Sequence, residues 1–297
     1  MTKRNLCKYF FLLLCGISIY SLSFSQTEKS VKEIVNTKEK NNLYKYLDEK
    51  KWNELFPNRY NLSAKKKGKK TDFYTFRAFI KAAEKFPLFI AEGDEETQKR
   101  ELCAFLANVA QETSGGWDGA HGGYFKWGLV YIEELGCEHG CMQYSDTNNK
   151  EFYPIQNVSY HGRGPKQLSW NYNYGQFSKA YYGSKDTLLM HPELLSEEPI
   201  LSFASAIWFW MTPQQPKPSC HDIMCGKWIA SAVDIQDGRL PGFGATVNVI
   251  NGGIECGKTA SEKTKYRYEY YKYFCRYFKV SAGDNIECSN QKPFNVQ

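Results

Sequence analysis

Two carboxylate-bearing stretches have the residue types and spacing for acid–base chemistry. Glu112 closes a run in which Leu102, Phe105, Leu106, Val109 and Ala110 recur at helical spacing. It continues their apolar face rather than the solvent side. A carboxyl group there is partly desolvated, which disfavours its ionised form and lets it hold a proton near neutral pH. Such a group can act as a general acid. The same position also suits an exposed or capping glutamate in the last helical turn, and position alone favours that reading. The second stretch is Trp127-Gly-Leu-Val-Tyr-Ile-Glu133-Glu134-Leu-Gly136. Strict alternation puts Glu133 and Glu134 on opposite faces of an extended segment, one toward a cleft and the other toward solvent. Taken alone, that pair is an ordinary charged surface spot.

A third stretch, Cys137-Glu-His139-Gly-Cys141, resembles a metal clip. A four-ligand zinc site needs further partners at matched spacing, and none is evident. No metal is expected, and the two cysteines read as a local disulfide or as loop cysteines.

A mainly helical scaffold has to position these groups. Phe76, Phe79, Ile80 and Ala83 mark one helix, with Thr75 a candidate N-cap. The run ending at Glu112 is the second. Glu198-Pro199 opens a third, which carries Ile200, Phe203, Ala204, Ile207 and Trp208 until Thr212-Pro213 stops it. The last runs from about Ser261 to Phe278, with Tyr266, Tyr270, Tyr273, Phe274 and Tyr277 on one side as core packing. Gly115 to Gly123 and Pro213 to Pro218 are long connections, and the few strands expected are short ones around Tyr124 to Tyr131. The class is mainly α with long loops, which on a rigid scaffold often carry function.

Hydrophobic residues at 42% and aromatics at 16% exclude wholesale disorder. The first 25 residues read as a signal peptide: Lys3, Arg4 and Lys8, an apolar run from Tyr9 to Phe24, then small residues before Gln26. A polar lead-in follows to about residue 43, then one domain over 44–292. Without the leader, eight cysteines remain, an even number that in an exported chain implies disulfides of unreadable connectivity. No other stretch is long and apolar enough to span a membrane. The net charge of +6 is modest, and its cluster Lys65-Lys66-Lys67-Gly68-Lys69-Lys70 reads as a solvated loop. Nothing resembles a nucleic-acid-binding module.

Longer blocks carry a resemblance. Phe73 to Ala82, Glu112-Thr-Ser-Gly-Gly-Trp117 and Gly162-Arg-Gly-Pro-Lys-Gln-Leu-Ser-Trp-Asn-Tyr-Asn-Tyr-Gly175 resemble family 19 chitinases. Trp208 to Asp222, Pro241-Gly-Phe-Gly244, Asn248 to Gly257 and Gly283 to Cys288 follow in the family's order. The resemblance implies a two-lobed, lysozyme-like fold and endo-hydrolysis of β-1,4-linked N-acetylglucosamine polymers with inversion at the anomeric carbon. It makes Glu112 the general acid and Glu134, rather than Glu133, the general base. Ser169 matches the serine that positions water. Gln167, Tyr172, Asn173 and Asn251 match substrate-binding residues, and Ser114, in the place of a family threonine, is expected among them. Lys217, Glu255 and Arg267 match a polar network behind the cleft, in which Arg267 is expected to reach a carboxylate bidentately and help keep the base ionised. Cys256 and Cys288 match a family disulfide. The implied partner is chitin or its oligosaccharides, handled by a secreted monomer without a cofactor.

The chain also departs from the plant members. Gln111 replaces the usual histidine before the acid and cannot titrate. Val130 replaces a cysteine, so that family disulfide is absent. The loop from Cys137 to Tyr160 aligns poorly where the family supplies an aromatic sugar-stacking residue, leaving Tyr144, Tyr153 and Tyr160 as candidates. Two other readings stay open: a peptidoglycan hydrolase of the same fold, and an aminosugar-binding protein without catalysis, which would be expected to have lost a catalytic carboxylate.

Overall fold

The computed structural model describes residues 42–60, 72–137 and 139–294. The chain divides into residues 1–44, of which only 42–44 are described, and a compact unit, Lys45–Gln297. The leader expected over residues 1–25 and the basic cluster at 65–70 lie outside the described residues.

The compact unit is built of helices joined by long loops. Helix α1 (Glu49–Leu55) is capped by Asp48, and α2 (Phe76–Ala83) by Thr75, whose hydroxyl accepts from the Ala78 N–H at 3.0 Å. Helix α3 (Glu95–Glu112) starts well before its apolar run, because Asp94 caps a polar first turn that the pairs Lys99–Glu95 and Arg100–Glu96, each 2.8 Å, support. Helices α4 (Asn171–Tyr182), α5 (Pro199–Met211), α6 (Cys220–Met224), α7 (Phe243–Glu255) and α8 (Glu262–Phe278) follow, with short helices at Asp186–Met190, Leu194–Glu197 and Ala232–Gln236 between. Pro199 opens α5 and Ser261 caps α8, as their residue types predict.

The core forms where α1, α2, α3 and α5 meet. Phe79 stacks on Trp52 at 5.1 Å between ring centroids, and lies 5.9 Å from Phe105 and 5.4 Å from Phe203. All four rings are buried, and full burial of each stabilises the fold by roughly 1.5–3 kcal/mol. Helix α3 carries no narrow apolar stripe: every residue from Glu101 to Ala110 is buried. Helices α6, α7 and α8 pack against it, so even Glu101 and Asn108 are enclosed.

Two expectations need correction, and the expected disulfides, Cys256–Cys288 among them, are present for part of the cysteines. The short strands around 124–131 are absent: Tyr124–Lys126 is a 3-10 turn, and the N–H groups of Val130 and Tyr131 both donate to the Thr113 carbonyl at 3.0 Å instead of joining a ladder. The tyrosine row of α8 is only partly core. Tyr270 and Phe274 are buried, but the inward face also carries Arg267, Tyr268 and Tyr271, while Tyr266 stacks on Tyr124 at 3.8 Å. Of the eight cysteines only four are bridged, as Cys137–Cys141 and Cys256–Cys288. Cys103, Cys220, Cys225 and Cys275 are free.

Candidate active site

A cleft of about 950 Å3 gathers side chains from the end of α3, the connection after it, α4 and the kinked end of α7. Glu112 and Glu134 both line it. Their surroundings differ sharply.

Glu112 ends α3 with 13% of its side chain exposed. Its Oε1 accepts from Arg267 Nη2 at 2.7 Å and from Asn251 Nδ2 at 3.4 Å. Asn251 reaches it because α7 kinks there, with φ −138° and ψ 27°. Arg267 is bidentate to Glu255, through Nε at 3.1 Å and Nη2 at 2.7 Å, and donates to Asn108 Oδ1 at 3.1 Å. Burial works against the Arg267 charge, but Glu112 and Glu255 outweigh it and hold the guanidinium above its ordinary value. Burial likewise pushes the Glu255 carboxyl up, and Arg267 overrides it, leaving the group below the ordinary range. One cation between two carboxylates carries a net negative charge when both are ionised.

Glu134 is held by neutral donors. Tyr144 donates its hydroxyl to Oε1 at 2.8 Å, and the Gly162 N–H donates to Oε2 at 3.2 Å. Gly162 lies against Gln167: an added Cβ would meet its Oε1 at 2.9 Å and its Cβ at 3.2 Å. Glu133 turns elsewhere, toward His161 at 3.4 Å and Arg163 at 3.8 Å. The alternation read from sequence thus separates the pair, with Glu134 in the cleft. Arg267 touches Glu112 and Glu255 rather than the expected base, because α8 packs along α3, the helix that ends in Glu112.

With this geometry in view, comparison with known proteins is specific. Residues 48–288 match the family model described as Chitinase class I, glycoside hydrolase family 19. The chain belongs to this family of glycoside hydrolases. It is 45% identical over 222 residues to endochitinase A2 of Pisum sativum, covering 75% of this chain and 66% of the pea protein. It is 44% identical over 244 residues to inactive chitinase-like protein 1 of Hevea brasiliensis, covering 82% of this chain and 74% of that one. Chitinase C from Streptomyces griseus HUT6037 superposes with a TM-score of 0.63 at 30% identity, covering 82% of this chain and 80% of that chain. The mainly helical architecture is accordingly the lysozyme-like fold of family 19 chitinases.

The other family-matched residues fall into two groups. Gln167, Ser169, Tyr172, Asn173, Lys217 and Asn251 line the cleft. Ser114, Glu255 and Arg267 do not. The Ser114 hydroxyl lies 3.2 Å from the Tyr270 hydroxyl and accepts from the Gly116 N–H, while Glu255 and Arg267 form the network behind Glu112. Lys217 stands apart from that network and donates to the Val249 carbonyl at 3.1 Å. The segment before α4 is tightly wound: Gln167 and Trp170 adopt φ of 51° and 77°, strained for residues with side chains. That winding lets the Ser169 hydroxyl bond the Gln167 carbonyl at 3.0 Å and the Asn173 amide bond the Ser169 carbonyl at 2.9 Å. Asn173 Oδ1 is buried without a partner among the described residues.

Sequence reasoning passed over Lys166 and Trp170. Lys166 lines the cleft with its amine 4.7 Å from the centre of the Phe209 ring. Burial pushes that amine below its ordinary value, while the charge of Glu112 opposes the shift. Its only signal was a charge inside the otherwise uncharged stretch Gly164 to Ser169. The three loop tyrosines separate cleanly. Tyr144 lines the cleft, Tyr160 is wholly buried with its hydroxyl on the Leu189 carbonyl, and Tyr153 is exposed beside Lys150. Gln111 accepts from Tyr124 at 3.4 Å.

The Cys137–Cys141 disulfide uses both sulfurs of the apparent metal clip. Among the described residues, Glu101, His221 and Cys225 form the one group with metal-ligand spacing. It does not line the cleft, and hydrogen bonds occupy it. His221 bridges Glu101 at 2.7 Å and Glu92 at 2.6 Å, and Trp210 also donates to Glu101. Burial pulls the His221 imidazole down, but bonds to Cys225, Glu101 and Glu92 raise it to about 11.

Proposed function

We propose that this chain is a secreted endochitinase that hydrolyses β-1,4 bonds between N-acetylglucosamine units with inversion. One observation carries the reading: two carboxylates line a single cleft, one tied to a shared cation and the other held by neutral donors. Glu112 acts as the general acid. Protonated, it loses its charge while Arg267 stays paired with Glu255, and it gives that proton to the glycosidic oxygen as the bond breaks. Glu134 acts as the general base. It takes a proton from a water that attacks the anomeric carbon from the opposite face, the arrangement in which inverting carboxylates stand about 6.5–9.5 Å apart. Glu112 ends ionised and Glu134 protonated, and exchange with solvent resets both.

Ser169 orients the water, and Gln167, Tyr172, Asn173 and Asn251 bind the sugar chain, with Asn251 at the amide. Ser114, Lys217, Glu255 and Arg267 support the cleft wall. The basic and apolar start of the sequence supports export, as do the two disulfides. The likeness to an inactive chitinase-like protein raises a non-catalytic reading, against which stands the retention of both carboxylates in the cleft.

Incubation with chito-oligosaccharides and, separately, with purified peptidoglycan tests the substrate. Cleavage of the oligosaccharides is expected. Cleavage of peptidoglycan alone would transfer the same machinery to bacterial wall, and no cleavage of either would favour binding without catalysis.

A further inference from the structure

The loop from Cys137 to Tyr160, where the sequence offered three candidate tyrosines, supplies a direct contact to Glu134. The Tyr144 hydroxyl donates to Glu134 Oε1 at 2.8 Å while the Gly162 N–H holds Oε2 at 3.2 Å. A carboxylate has about four lone-pair sites. One donor on each oxygen fixes the plane of the group and leaves the remaining sites for the cleft.

We propose that Tyr144 is a positioning residue for the general base, fixing the Glu134 carboxylate through a loop pinned on both sides of the tyrosine. The proposal rests on the reading of Glu134 as the base. Tyr144 ends a 3-10 turn, Met142–Tyr144. Before it, Cys141 is tied to Cys137 and exchanges hydrogen bonds with the Ser159 hydroxyl at 2.7 and 3.0 Å. After it, Asn171 at the start of α4 accepts from the Asp146 N–H at 2.7 Å and donates to the Asp146 carbonyl at 3.1 Å. The Tyr144 ring stands edge-on to Trp170 at 5.6 Å, nearly perpendicular at 87°. The phenol therefore has little freedom to leave Glu134.

Burial and the bonded Glu134 carboxylate push the Tyr144 phenol up to about 12, so it stays a donor through the range in which a carboxylate base works. No side-chain cation is bonded to Glu134 among its described contacts. Glu133 turns to His161 and Arg163, Arg163 also donates to the Tyr174 hydroxyl, and Glu112, Asp146 and Lys166 line the same cleft. A hydrogen bond to the ionised form favours that form. Without the phenol, the carboxylate gains rotamers and its ionised form loses a donor.

Tyr144→Phe tests this because it keeps the ring against Trp170 and removes only the hydroxyl. On soluble chito-oligosaccharides, kcat should fall about tenfold, the scale of one charge-assisted hydrogen bond. KM should change by less than about twofold, and the acid limb of the kcat profile should move to higher pH. The thermal unfolding midpoint serves as the folding control. Unchanged kcat and acid limb in Tyr144→Phe, with KM raised only in Tyr144→Ala, would make Tyr144 a sugar-stacking residue and overturn the proposal. A fall in kcat with an unmoved acid limb would also overturn it, reducing Tyr144 to a structural prop. If the wild type fails to cleave chito-oligosaccharides, the proposal falls together with the functional reading. If the wild type cleaves and only the predicted shifts are missing, the proposal falls alone.

Discussion

Glu112 and Glu255 are bound by the same nitrogen: Arg267 Nη2 donates to each at 2.7 Å. Neither carboxylate therefore has the cation to itself. Glu255 also takes the Nε bond, and Arg267 holds its carboxyl below the ordinary range against the effect of burial. Glu112 takes one bond from that cation and a longer one from Asn251.

Glu255→Gln removes the competing negative charge and leaves the cation to Glu112. It also frees the guanidinium from the group that takes two of its bonds. Turnover on chito-oligosaccharides should fall about tenfold, the scale of one charge-assisted hydrogen bond, with the thermal unfolding midpoint as the folding control. Unchanged turnover would mean that Glu255 does not position the cation beside Glu112.

Glu112→Gln should cost about 10²–10⁴-fold in turnover, the typical worth of general acid–base help. Oligosaccharide binding, read by calorimetry, should survive, because the amide keeps the side-chain shape. Near-normal turnover would remove Glu112 from the mechanism.

His221 gives a stability prediction with a definite sign. Its folded value is raised to about 11 from an ordinary 6.5 by bonds to Cys225, Glu101 and Glu92 that outweigh burial. A raised value means that the stabilisation is full below about 6.5 and is lost as pH rises through the window up to about 11. His221→Gln should therefore unfold at a clearly lower temperature than the wild type at pH 6, with the gap narrowing steadily toward pH 11. A gap that is constant across that range would show that the imidazolium charge contributes nothing.

Much of this site was legible in the sequence, unevenly and for physical reasons. Helical period and caps located α2, α5 and α8, and placed Glu112 at the end of α3. Period alone could not show that α3 is enclosed on every side, since that depends on α6, α7 and α8 arriving from distant sequence. Helices α1, α4, α6 and α7 were missed, the two longest of them, α4 and α7, for a chemical reason. Asn171-Tyr-Asn-Tyr-Gly175 and Asn251-Gly-Gly253 are poor helix formers, held by tertiary contacts such as Asn171 with Phe152 and Asp146. The choice of Glu134 over Glu133 came from the resemblance, and their opposite orientations came from alternation. That Arg267 would serve the acid candidate rather than the base was invisible, because spacing along α8 says nothing about which neighbour its long side chain meets.

The central claim is that Glu112 and Glu134 act as acid and base from opposite faces of one sugar. Proton NMR of freshly formed product from a chito-oligosaccharide, followed before the anomers equilibrate, tests it most directly. The account predicts that the α-anomer appears first, and that it is lost in both Glu112→Gln and Glu134→Gln. An initial β-anomer would contradict it.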